Sequence, residues 1–134
     1  MPTILVLEND PVRRQIIGFV LRKRGGYTVL EAGTTPEAMT DSRRYQIDLA
    51  VIDAATRDAY AGGRATARQL TKICPGLRFL FVSGYPLDLL AAKGFLQCDD
   101  PFLSRPFTPQ QLLARIEELL AASAHQASVM ATSA

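Results

Sequence analysis

The chain has 134 residues, 48% hydrophobic and 21% charged, and its 15 basic and 13 acidic side chains leave a formal net charge of +2. That length accommodates one compact domain, and the apolar fraction excludes disorder as the main state. The cations are scattered rather than gathered in a stripe, so no nucleic-acid partner is expected, and no apolar run approaches the roughly 18 residues of a membrane span.

Met1-Pro2-Thr3 leads directly into the apolar run Ile4 to Leu7 with no basic flank and no cleavage site, so the start reads as a strand rather than a signal peptide and the cytoplasm is the expected compartment. Asp10 followed by Pro11 has the form of an N-cap with proline at the first helical position, and Val12, Ile16 and Val20 recur at i, i+4 and i+8 as the expected buried face of a first helix. Gly25-Gly26 ends it. Tyr27 to Leu30, aromatic and β-branched in part, follows as a second strand, and residues 35 to 44 fit a second helix.

Leu49 to Ile52 is the third strand. Residues 63 to 73 fit a helix, Phe79 to Val82 a fourth strand, residues 86 to 92 a short helix and Phe102-Leu103 a fifth strand. Thr108-Pro109 repeats the capping device, and Leu112, Ile116, Leu119 and Leu120 give the last helix an apolar face. From residue 121 the chain is small and polar with no sustained apolar face, so a domain over 1–120 and a frayed, flexible tail over 121–134 are expected. Cys74, Cys98 and the single His125 fit neither a disulfide framework nor a zinc site.

Continuous apolar runs suit strands buried on both faces, and strand alternates with helix five times. The expected architecture is a doubly wound α/β sandwich with a parallel sheet.

In such sheets ligands bind at the carboxyl ends of the strands. There the sequence has Glu8, Asn9 and Asp10 after the first run, Asp53 after the third, Ser83 after the fourth and Arg105 after the fifth. Oxygen ligands without His or Cys suit a hard cation such as Mg²⁺. A carboxylate beside Mg²⁺ can attack a phosphoryl group, because the metal and a nearby cation neutralise charge on the transferring oxygens, which makes Asp53 the candidate nucleophile, with Ser83 and Arg105 holding phosphoryl oxygens.

These residues lie in ILVLENDP (4–11), DLAVID (48–53), LRFLFVSGYP (77–86) and PFLSRPFTPQQLLARIEELL (101–120), and the chain thereby resembles the receiver domains of two-component response regulators, the last two motifs especially those of hybrid histidine kinases. The resemblance implies a flavodoxin-like (βα)5 three-layer sandwich with a five-stranded parallel sheet. It implies a signalling domain rather than an enzyme, a phosphoacceptor at Asp53, and a histidine kinase or phosphotransfer protein as donor. It places Mg²⁺ on Glu8, Asn9, Asp53 and the carbonyl of Ala55, makes Ser83 the switch hydroxyl and Phe102 the switch aromatic, and puts Arg105 at the family's lysine position. A downstream target or a second copy would use the face of the fourth helix, fifth strand and fifth helix, with Leu87, Leu89, Leu90 and Phe102.

The chain departs from the family pattern in three places. Asn9 removes a negative charge from the metal site, so weakened Mg²⁺ binding is expected, with Asp10 as a substitute ligand. Arg105 is bulkier than a lysine. The loop after Asp53 has Arg57 where the family usually has proline. A second reading therefore stands beside the first: a degenerate pseudo-receiver that serves as a phosphorylation-independent interaction module. A flavin or nucleotide site is disfavoured because Glu8 and Asp10 would repel a phosphate after the first strand, and a hydrolase because no activated nucleophile pair is visible. A stand-alone regulator and a hybrid-kinase receiver both fit, the start at Met1 favouring the first.

Overall fold

The structure, a computed structural model, describes residues 1–55 and 62–133, with side chains described as far as residue 122. Strand and helix alternate throughout: β1 (Thr3–Leu7), α1 (Pro11–Lys23), β2 (Thr28–Ala32), α2 (Thr35–Arg44), β3 (Leu49–Asp53), α3 (Gly63–Ile73), β4 (Arg78–Ser83), α4 (Leu87–Ala92), β5 (Phe102–Ser104) and α5 (Pro109–Ser133). All strand pairs are parallel, in the order β2-β1-β3-β4-β5. This is the expected doubly wound sandwich. Its strand order reverses between β1 and β3, which opens a crevice at the carboxyl ends of those two strands.

The period-2 alternation of strand side chains divides the core. Ile4, Val6, Leu49, Val51, Leu80 and Val82 pack against Ile17 and Leu21 of α1 and Leu112 and Ile116 of α5. Leu5, Leu7, Ala50, Ile52 and Phe81 face the other way, onto Ala38 of α2, Leu70 of α3 and Leu90 of α4. Each such Leu or Ile contributes about 1.5–3 kcal/mol by leaving water.

Two expectations change. The face that α1 buries is Ile17, Gly18 and Leu21 rather than Val12, Ile16 and Val20. Val12 and Ile16 are 63% and 58% exposed, Phe19 beside them is 60% exposed, and Val20 is half-buried. The stripe one residue further along, Ile17 and Leu21, has the same i, i+4 spacing, and contact with the sheet selects between the two. The last helix also does not end at residue 120: its backbone stays helical to Ser133, where a frayed tail was expected. Residues 121–124 read Ala-Ala-Ser-Ala, and alanine has the highest intrinsic helix propensity, so the helix continues without an apolar face.

Both capping readings hold. Asp10 accepts a hydrogen bond from the Arg13 amide at 3.1 Å. Thr108 Oγ1 accepts from the Gln111 amide at 3.1 Å while Gln111 Oε1 accepts from the Thr108 amide at 2.8 Å, a reciprocal capping box. Cys74 is half-buried and Cys98 exposed, both free thiols. No helix among the described residues is long and apolar enough to cross a membrane.

Candidate functional site at the carboxyl edge of the sheet

An open cleft of about 1170 Å³ lies over the carboxyl ends of the strands, lined among others by Asn9, Asp10, Arg13, Asp53, Lys93 and Arg105. Strand alternation explains why three distant residues meet beneath it. Asp53 shares the strand face of Leu49 and Val51, the side covered by α1 and α5. Extended one step past Leu7 and two past Leu103, the same alternation carries Glu8 and Arg105 to that side.

Glu8 is 1% exposed and does not stand alone. Its Oε1 accepts from Arg13 Nε at 3.0 Å and from Arg105 Nη1 at 3.3 Å, and its Oε2 accepts from the Asp10 amide at 3.0 Å. Asp53, at the end of β3, is 7% exposed. Its Oδ1 accepts from the Ala55 amide at 3.0 Å, and its Oδ2 lies 3.8 Å from Arg105 Nη2. Burial raises the Asp53 pKa above its ordinary value; the Ala55 amide opposes the shift, the Glu8 charge adds to it, and the guanidiniums of Arg105 and Arg13 pull it back.

Glu8, Asp53 and Arg105 are thus brought together, with Ala55 against Asp53. Other residues singled out in the sequence are placed differently. Asn9 is exposed at the rim, and Asp10 turns its carboxylate back to cap α1. Ser83 is fully buried on the opposite strand face from Asp53, where its Oγ accepts from the Tyr85 amide at 3.0 Å and keeps its hydrogen as a donor. Phe102 is half-buried and packs on the α2–α4 side of the core. Leu90 is buried, Leu87 partly buried and Leu89 41% exposed, so of the three α4 leucines only Leu89 offers a large free surface. Arg57 lies outside the described residues.

Arg13, which lines the cleft and pairs with Glu8, does not follow a strand and so is not among the candidates at strand ends. A signal was present: it lies in the first turn of α1, where the helix dipole disfavours a cation unless an acid compensates it. Glu8 is that acid, and its hydrogen bond raises the Arg13 pKa further.

No family model matches the chain. Over 120 residues, 88% of its length, it is 32% identical to the sensor kinase CckA of Brucella abortus, of which the match covers 12%. The solved receiver domain of hybrid histidine kinase CckA superposes with a TM-score of 0.69 at 25% identity, over 88% of this chain and 98% of that one. This chain is a response-regulator receiver domain.

The receiver also matches, at 27% identity over 116 residues, the transcriptional regulatory protein YvrH of Bacillus subtilis, covering 85% of this chain and 47% of that protein. The chain therefore spans less than half of each of these two relatives. The fold is that of the CheY-like receiver from Methanospirillum hungatei, with a TM-score of 0.80, 23% identity and coverage of 94% of this chain and 98% of that one. Its setting is two-component signalling.

Receiver domains in general bind Mg²⁺ at the phosphorylation site. The side chains here do not fit that ion as the sequence suggested. Glu8 spends both carboxylate oxygens on two guanidiniums and a backbone amide, Asp10 is turned to its helix, and Asn9 brings no charge. Among the described residues no three His, Cys, Asp or Glu side chains form a group able to hold a metal.

Proposed function

We propose that this receiver accepts a phosphoryl group on Asp53 from a histidine kinase or phosphotransfer protein and passes the signal on by a change of conformation. The observation that carries the reading is the placement of Asp53: buried at the end of β3, lining an open cleft, with one carboxylate oxygen held by the Ala55 amide and the other facing Arg105.

In the transfer, Asp53 Oδ2 attacks phosphorus, an oxygen–phosphorus bond forms, and the bond to the donor breaks with its electron pair. From a phosphohistidine the leaving imidazole takes up a proton; from acetyl phosphate the leaving acetate needs none. Arg105 meets the charge on the transferring oxygens. The Ser83 hydroxyl, with its hydrogen free to donate, supplies the response to the new group, and Phe102, on the same strand face of the sheet as Ser83, relays it to the edge at β5. A donor must cover the mouth of the cleft, and the exposed Val12, Ile16 and Phe19 on α1, the helix whose first turn lines the cleft with Pro11 and Arg13, supply apolar surface for docking.

The test is the intact mass of the protein after incubation with acetyl phosphate, with Asp53→Asn as control. One phosphoryl group gained by the native chain and none by the variant is the expected result. No gain in the native chain, with transfer from a cognate kinase also absent, would leave the fold as a phosphorylation-independent interaction module.

A further inference from the structure

We infer that Arg13 and Arg105 take the place of the divalent cation in this receiver, so that Asp53 receives its phosphoryl group without Mg²⁺. The inference rests on phosphorylation of Asp53 for its group-transfer part, and on geometry alone for the exclusion of the metal.

A buried carboxylate needs a counter-charge, and a site with Glu8 and Asp53 side by side needs more than one. In this chain the counter-charge is covalently attached. Arg13 reaches Glu8 from the first turn of α1 and Arg105 reaches it from the end of β5, at 3.0 and 3.3 Å on the same oxygen. The second oxygen is taken by the Asp10 amide. A metal approaching Oε1 would have to displace two guanidiniums from an acid that is 1% exposed, one approaching Oε2 would have to share that oxygen with the Asp10 amide, and either would find Asn9 rather than a second carboxylate next in the chain.

The cleft itself carries the opposite preference. Its lining has the cations Arg13, Lys93 and Arg105 against the acids Asp10 and Asp53, and Glu8 does not reach its surface. A tetrahedral dianion over Asp53 would meet guanidinium forks able to bind two of its oxygens in plane, which a compact ammonium cannot do. Arg13, with its side chain 47% exposed, can turn from Glu8 toward such a group while Arg105 keeps Glu8 paired. As the acyl phosphate forms, the negative charge gained beside Asp53 is matched by cations already in place, and the electron pair leaves with the donor as before.

The test has two independent readouts on the full chain after treatment with a chelator. In the first, amide NMR resonances of Asn9, Asp53 and Ala55 are followed while Mg²⁺ is added. The native protein is expected to show no saturable shift, and the variant Arg13→Ala, which frees one oxygen lone pair of Glu8, to gain one. Saturable shifts at these amides in the native protein overturn the inference whatever the variant does. In the second, phosphoryl gain from acetyl phosphate is compared in chelator and in Mg²⁺. Equal gain is expected; gain in Mg²⁺ alone overturns the inference. No gain in either condition counts against phosphorylation of Asp53, and the Mg²⁺ titration then still decides whether guanidiniums exclude the metal.

Discussion

Arg105 Nη1 lies 3.3 Å from Glu8 Oε1, a hydrogen-bonded ion pair between residues 97 apart in the chain. It joins the end of β5 to the end of β1 across the two strands between them, β3 and β4, and so ties the edge of the sheet to its centre at the level of Asp53. Because Glu8 is buried, losing the partner leaves an acid short of counter-charge, whereas Arg13 alone is half-exposed and screened. Arg105→Ala is therefore expected to lower unfolding free energy by about 1–3 kcal/mol in chemical denaturation, and Arg13→Ala by less. Equal, negligible losses for both would mean that Glu8 is solvated in the folded protein.

Asp53 gives a pH dependence with a definite sign. Its folded pKa lies above the ordinary 3.8, chiefly through burial, so the folded state binds the proton more tightly than the unfolded chain and the charged form costs stability. That cost is absent below pH 3.8 and reaches its full size once pH has risen through the folded pKa. Asp53→Asn keeps the amide contact to Ala55 and removes the charge. The variant should melt higher than the native protein at neutral pH, with the gap closing as pH falls toward 3.8. A variant that melts lower at neutral pH would contradict the sign.

Gly63 opens α3 in close contact with Ala54, just after β3, and with the Phe81 ring of β4. A Cβ there would stand 2.9 Å from the Phe81 ring and 3.0 Å from the Ala54 Cα, against backbone that cannot easily yield. Gly63→Ala should destabilise the fold by about 1–3 kcal/mol, measurable by urea denaturation, despite the better helix propensity of alanine. A stabilised variant would show that α3 can move away from β3 without penalty.

At the start of α5, the capping box of Thr108 and Gln111 satisfies two backbone amides at once. Thr108→Ala should cost about 1 kcal/mol, and Thr108→Ser much less, by thermal melting. Equal losses for the two would assign the effect to the methyl group rather than the hydroxyl.

The strands were legible because parallel strands buried on both faces must be apolar throughout, and the runs beginning at Ile4, Leu49 and Phe79 have few polar interruptions. The same rule located Glu8, Asp53, Ser83 and Arg105 at strand ends. What it left open is the direction each side chain takes after the strand stops. Asp10 serves its helix because an N-cap satisfies an otherwise unpaired amide, and the Arg13 partner of Glu8 depends on the turn that the cap creates. The face of α1 was misread for a related reason: two adjacent stripes carry the same spacing, and only contact with the sheet separates them. The continuation of α5 past residue 120 was hidden because its alanines carry propensity without pattern.

The claim that Asp53 is the phosphoacceptor is tested most directly by chemistry at that residue. After incubation with acetyl phosphate, borohydride reduces an aspartyl phosphate to homoserine, and trypsin then releases the peptide of residues 45–57, which contains both Asp48 and Asp53. Fragmentation should place homoserine at position 53 with Asp48 unchanged. Homoserine at Asp48 or Asp10, or an unmodified Asp53 in a protein that has gained mass, would contradict the account.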